Sequence, residues 1–127
     1  MEFTSLDERN RVKEIFEQIN TAINQLKEWN AGVDSSEEYY ISSGGMQKLA
    51  ASCMLIEAIG EGIKQIDKIS HGNLLTERPE IPWQDVIGIR NHIAHGYFDI
   101  NGDLVLSTIK YDLDALQLAV RYFLETI

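Results

Sequence analysis

The chain has one cysteine and two prolines, and it carries 11 Lys and Arg against 20 Asp and Glu. Cys53 lies in the apolar run Ala50-Ala51-Ser52-Cys53-Met54-Leu55-Ile56, with no partner base placed near it in sequence. It therefore reads as a buried, reduced core residue rather than a catalytic thiol, and the cytoplasm is the expected compartment. No apolar run approaches the roughly 20 residues that a membrane span needs. The start, Met1-Glu2-Phe3-Thr4, gives way to charged residues and lacks the basic, apolar and small-residue order of a signal peptide. Gly-rich phosphate loops, Cys-based zinc patterns and Ser-based nucleophile motifs are also missing. The net charge of −9 excludes non-specific adhesion to nucleic acid, because the phosphate backbone repels an acidic protein.

What is present is helical. Hydrophobic residues make up 44% of the 127, enough for a real core in one domain spanning 1–127. Val12, Ile15, Phe16, Ile19, Ile23, Leu26 and Trp29 recur at three- and four-residue steps. They predict a first helix from about Ser5, where Ser5 and Glu8 have capping-box spacing, to Asn30-Ala31-Gly32. Residues 33–45 read as a polar loop in which Glu37–Tyr40 can form a helical turn. A second long helix is expected over 46–70. Its seam is Leu49, Cys53, Ile56, Gly60 and Ile63, and Met54, Leu55, Ala58 and Ile59 form a second apolar face. So wide an arc implies contact on two sides, one with the core and one with a dimer partner. Gly60 and Gly62 would let another helix approach closely, and His71-Gly72-Asn73 closes the helix.

Pro82 suits the first turn of a third helix, with Val86, Ile89 and Ile93 as its stripe and Gly96 as its end. In residues 97–106, Asn101-Gly102 between apolar pairs is a hairpin signal. An isolated hairpin is only marginally stable, so a turn and a short helix over 103–110 are preferred. A last helix is expected from Asp112, read as an N-cap, with Leu113, Leu116, Val120, Phe123 and Ile127 on one face. Four or five helices with short connections make an all-α antiparallel bundle.

One segment can carry chemistry: Arg90-Asn91-His92-Ile93-Ala94-His95-Gly96-Tyr97. A histidine titrates near neutrality and can take a ribose 2′-hydroxyl proton or protonate a leaving 5′-oxygen. An arginine can hold a phosphate bidentately and stabilise the charge that builds on it. Asn91 can orient either group. DNA, lacking the 2′-hydroxyl, could not be cut this way. On a continuous helix Arg90 and His95 would sit roughly 140° apart around the axis, whereas Asn91 and His95 could share a face. Fraying near Gly96 would let His95 swing toward Arg90. The spacing is unspecific by itself: a solvated arginine and a histidine bonded to the last carbonyls of a helix would look the same. His92 and His95 have a metal-ligand spacing, but no Cys or third ligand accompanies them, so no metal site and no cofactor are expected. Acidic side chains such as Glu14 and Glu17 read as a solvated face. An acidic chain that acts on RNA needs a local basic patch, which oligomerisation could assemble.

The run from Ile81 to Tyr97 resembles the HEPN toxins of the HepT-like family, partners of minimal nucleotidyltransferase antitoxins. Their pattern R-x4-H-x-Y falls here on Arg90, His95 and Tyr97, with polar Asn91 after the arginine. Ile59-Gly60-Glu61, Pro82-Trp83 and Asp112-Leu113 are also similar, so the resemblance covers roughly residues 8–127. It implies a dimerising HEPN-type bundle in which two Arg–His motifs face each other. It also implies a type VII toxin that acts as a metal-independent endoribonuclease on RNA such as tRNA or mRNA. Adenylylation of Tyr97 by the cognate nucleotidyltransferase would neutralise it, and Glu61 would support the site near the interface. The alternative is a non-catalytic HEPN partner that binds substrate for, or regulates, a nucleotidyltransferase. Leu106 stands where the family often has tryptophan, a departure that concerns packing.

Overall fold

The computed structural model describes residues 5–127; the opening residues 1–4, on which the signal-peptide reading partly rests, lie outside the described residues. The architecture is all-α. Helix α1 spans Leu6–Asn30 and α2 spans Ser43–Ile69. Two short helices, α3 (Trp83–Ile87) and α4 (Arg90–Ile93), follow, and then α5 (Gly102–Ser107) and α6 (Leu113–Thr126). No strand is formed among the described residues beyond the single antiparallel bridge Ala94–Ile100. None of the described helices is long and apolar enough to cross a membrane.

The first helix begins as expected: the Ser5 hydroxyl accepts from the Glu8 amide at 3.1 Å. Its stripe is buried from Val12 through Leu26, but Trp29 stays partly exposed and Asn30 turns inward instead. The reason is a buried polar knot. Tyr39 donates its hydroxyl to Asn30 Oδ1 at 2.7 Å, and Asn30 Nδ2 donates to Leu26 O and to Ser52 Oγ, each at 2.9 Å. Buried polar groups are tolerated when their partners are in place. The stretch read as a polar loop thus supplies a fully buried side chain. Ser35 and Glu38 form a capping box around a 3₁₀ turn, Ser36–Tyr39, and that turn drives Tyr39 into the core.

Tyr39→Phe leaves Asn30 Oδ1 without its donor and should cost roughly 1–3 kcal/mol, readable as a lower denaturant midpoint. Burial pushes the Tyr39 phenol up to about 12. In the unfolded chain a tyrosine gives up its proton near 10. Between about pH 10 and 12 the unfolded state therefore binds fewer protons than the folded one, and stability falls as pH rises. Tyr39→Phe should lack this part of the alkaline loss.

Helix α2 starts at Ser43 rather than near Met46, because Ser42 caps it by accepting from the Gly45 amide at 2.9 Å. Leu49, Cys53, Ile56, Gly60 and Ile63 are all buried, as the seam requires. Burial, followed by the Glu57 carboxylate, pushes the Cys53 thiol up to about 11, an unreactive setting. On the second face Ile59 is buried, whereas Met54 and Ala58 are open to solvent. Beyond α2 the chain turns through His71 and Gly72, both at positive φ, and the Gly72 amide bonds back to Asp67 O at 2.8 Å.

Both close-approach glycines serve as expected. A Cβ on Gly60 would lie 2.8 Å from Val86 O, and one on Gly62 would lie 3.1 Å from side-chain atoms of Ile15 and Ile19. These positions seat α3 and α1 against α2. The core joins all six helices, with Phe16 stacked on Phe123 at 5.0 Å between ring centroids. Trp83, at the start of α3, reaches the same cluster at 6.2 Å from Phe123 and donates its indole N–H to Arg78 O at 2.9 Å.

Two helix assignments need correction. The helix expected from Pro82 to Gly96 is broken after Ile87, resumes at Arg90 and stops at Ile93. Helix α6 does not start at a free N-cap. Asp112 makes no capping bond, and α5 runs through a π-helical stretch, Thr108–Asp112, directly into α6. Such π turns absorb an extra residue within a helix. The Asn101-Gly102 pair opens a helix and not a hairpin: Asn101 Oδ1 accepts from the Leu104 amide at 3.0 Å. A Cβ on Gly102 would lie 2.6 Å from the Tyr40 hydroxyl, so the glycine lets Tyr40 pack closely against the start of α5. Leu106 is buried.

Candidate functional site

The segment carrying Arg90, Asn91, His95 and Tyr97 is a one-turn helix followed by a closed loop. Arg90 and Asn91 open α4, and both are exposed. The helix ends because Ala94 adopts an extended conformation, φ −160° and ψ 148°. His95 therefore does not continue the helix, and neither the angle of roughly 140° from Arg90 nor a shared helical face with Asn91 applies. Fraying near Gly96 is not required either, since the helix has already ended.

The loop after Ala94 is well tied. The His95 amide donates to Asp99 O at 2.9 Å, the Asp99 amide to Gly96 O at 3.1 Å, and the Asn101 amide to Ile93 O at 2.8 Å. Gly96 supplies the positive φ of 102° that this turn needs. Ile93 and Ile100 are buried on either side, so the loop hangs from two core anchors. At its base the Tyr40 hydroxyl donates to Ile100 O at 2.7 Å and accepts from the Gly102 amide at 2.9 Å. The local sequence thus buries both anchors, Ile93 and Ile100, and leaves residues 95–99 exposed between them.

Two ion contacts shape the site. Glu61, on α2, lies with Oε1 3.9 Å from Arg90 Nη1, and both side chains are substantially exposed. His95 Nδ1 lies 3.5 Å from Asp99 Oδ2. Contacts this open add little stability, but they bias where the two side chains point. Asp99 went unnoticed in the sequence, although its spacing of four from His95 would have marked it on a helix. Tyr97 is 54% exposed, and its ring meets that of Phe98 edge to face, with centroids 5.2 Å apart. His92 is exposed on α4. Among the described residues no three His, Cys, Asp or Glu side chains converge as metal ligands.

A groove of about 370 Å³ between α2, α3 and α6 is lined by Ile56, Ile59, Val86, Ile89 and Leu116 among others, but not by Arg90, Asn91, His95 or Tyr97. These four side chains are exposed on the single chain.

The family description "Ribonuclease HepT-like" matches residues 19–123. A protein of Thermococcus cleftensis named "Probable ribonuclease HepT" is 31% identical over 62 residues, covering 49% of this chain and 53% of its own length. A candidate RNase of Methanocaldococcus jannaschii is 27% identical over 84 residues, covering 66% and 67%. A candidate RNase of Caldanaerobacter subterraneus subsp. tengcongensis is 27% identical over 70 residues, covering 55% and 59%. The chain thus spans between about half and two thirds of the length of these relatives. No solved structure matches it. With the family match covering residues 19–123, well over half of the chain, and the all-α bundle in place, this chain belongs to the HepT-like ribonuclease family.

Proposed function

We propose that the chain is a metal-independent endoribonuclease, the toxin of a HEPN/minimal-nucleotidyltransferase pair, with Arg90 and His95 as catalytic residues. The observation that carries this reading is the presentation of Arg90, His95 and Tyr97 on exposed, hydrogen-bonded backbone in a member of a ribonuclease family. In the proposed reaction a 2′-oxygen attacks the adjacent phosphorus as His95 takes its proton. The bond from phosphorus to the 5′-oxygen breaks, and that oxygen is protonated as it leaves. The products are a 2′,3′-cyclic phosphate and a 5′-hydroxyl. Arg90 holds the phosphate and stabilises the added charge. Asn91 orients the phosphate, while Glu61 and Asp99 hold Arg90 and His95 until RNA arrives.

The site works as a pair across a homodimer. One open motif cannot supply both a general base and a general acid from a single histidine at the same moment, whereas two facing copies can. The exposed face of α2 favours this arrangement. Met54, Ala58 and Glu61 follow one another at helical spacing; the first two are open apolar side chains, and the third reaches Arg90. A second copy on this face would cover Met54 and bring both Arg90 side chains together, offsetting locally the net charge of −9.

Tyr97 is the proposed acceptor of adenylyl groups from the nucleotidyltransferase. A nucleotide there would set anionic charge beside Arg90 and repel RNA. Tyr97→Phe should keep at least half of the RNA cleavage and become insensitive to the nucleotidyltransferase with ATP, whereas the wild type is silenced. Expression in cells tests the whole reading: growth arrest by the wild type, relief in His95→Ala, and arrest by Tyr97→Phe even with the antitoxin present. A harmless wild type free of adenylyl groups and inert on RNA would instead fit a non-catalytic partner of the nucleotidyltransferase.

A further inference from the structure

Phe98 is 98% exposed, far from the setting in which a phenylalanine is ordinarily found. It is not on a loose tail. It lies between the anchors Ile93 and Ile100, within a loop closed by the Ala94–Ile100 bridge and by the His95–Asp99 and Asp99–Gly96 backbone bonds. The edge-to-face contact with Tyr97 at 5.2 Å restrains the ring, and at this exposure one ring face remains free. Nothing in the folding of the chain requires an aromatic ring there.

Its position gives it a use. Phe98 is three residues from His95, at most about 11 Å along an extended chain, and the turn at Gly96 shortens that path. The charge balance gives it a reason. Within the site the full positive charge is that of Arg90, already faced by Glu61, and Asp99 faces His95. A chain of net charge −9 gains little from phosphate contacts, the usual source of affinity for nucleic acid. Stacking of a base on an aromatic ring does not depend on net charge and tolerates any sequence. It needs an unpaired base, since bases within an RNA duplex are already stacked.

We propose that Phe98 is a stacking platform for an unpaired base beside the cleaved phosphate, so that the site selects single-stranded over duplex RNA. This rests on the reading of the chain as a ribonuclease. The test uses the full chain carrying His95→Ala, which should bind RNA without cutting it. The probe is a single-stranded oligoribonucleotide randomised around a central 2-aminopurine, whose fluorescence falls on stacking. Adding Phe98→Ala should weaken binding roughly tenfold and abolish the quenching. Phe98→Trp should preserve both, Phe98→Leu should preserve neither, and weak binding of duplex RNA should be the same in all.

Equal binding and quenching by Phe98→Ala would overturn the proposal. So would a change in sedimentation from the size of the parent protein, which would make Phe98 a contact between copies. Cleavage assays separate this failure from failure of the ribonuclease reading. If Phe98→Ala in an otherwise wild-type chain cuts single strands as well as the wild type, only the platform fails. If the wild type neither binds nor cuts RNA, the ribonuclease reading fails with it.

Discussion

His95→Ala should lower RNA cleavage by roughly 10²–10⁴-fold, the range that a positioned general acid or base contributes, while leaving the fold intact. Both halves follow from the same geometry. His95 is exposed, and its backbone is held by bonds to Asp99 and by the buried neighbours Ile93 and Ile100, none of which need the imidazole. Among the described residues, the ion contact of its side chain is with Asp99 Oδ2, at 3.5 Å. Removing it deletes a proton carrier and little else, so thermal unfolding should superimpose on that of the wild type. In a paired site the substitution removes both copies, which places the expected loss toward the upper end of the range. A variant that melts normally and still cuts at more than a tenth of the wild-type rate would take His95 out of the mechanism.

The largest expected effect on stability is elsewhere. Phe123→Ala should cost roughly 3–5 kcal/mol and lower the melting temperature by on the order of 10–20 °C. Phe123 is fully buried on α6. It stacks on Phe16 of α1 at 5.0 Å, and its ring lies 6.2 Å from that of Trp83 and 5.3 Å from that of Tyr122. One truncation therefore opens a cavity where three helices meet, and rings on several sides cannot all collapse into it. Trp83 opens α3, so its fluorescence and near-ultraviolet dichroism should report the loosening before global unfolding. A loss below about 1 kcal/mol would mean that the core closes over the gap, against the close packing usual in protein interiors.

The helical class, the seam of α2 and the close approach at Gly60 and Gly62 were legible from residue spacing alone, because core burial imposes that spacing directly. The break between α3 and α4 was not. Val86, Ile89 and Ile93 keep helical spacing across it, and nothing local marks Ala94 as extended. That conformation follows from the Ala94–Ile100 bridge, a tertiary contact. Asn101-Gly102 carries a hairpin signal, but Asn101 instead caps α5 and the Gly102 amide bonds to the Tyr40 hydroxyl. Tyr39 and Asn30 are polar enough to read as surface, and their burial depends on a knot of bonds that also takes in Leu26 O and Ser52 Oγ. At the candidate site Arg90, Asn91, His95 and Tyr97 stood out in sequence through resemblance to a family. The pairing of His95 with Asp99 and the exposure of Phe98 needed the loop's shape.

The most direct test of metal-free cleavage through the 2′-hydroxyl is to incubate the purified chain, free of adenylyl groups, with single-stranded RNA in EDTA and to analyse the ends. The account predicts 2′,3′-cyclic phosphate and 5′-hydroxyl ends, with no cut where the scissile nucleotide is 2′-deoxy. Cleavage that vanishes in EDTA, or that continues at the 2′-deoxy position, would contradict it.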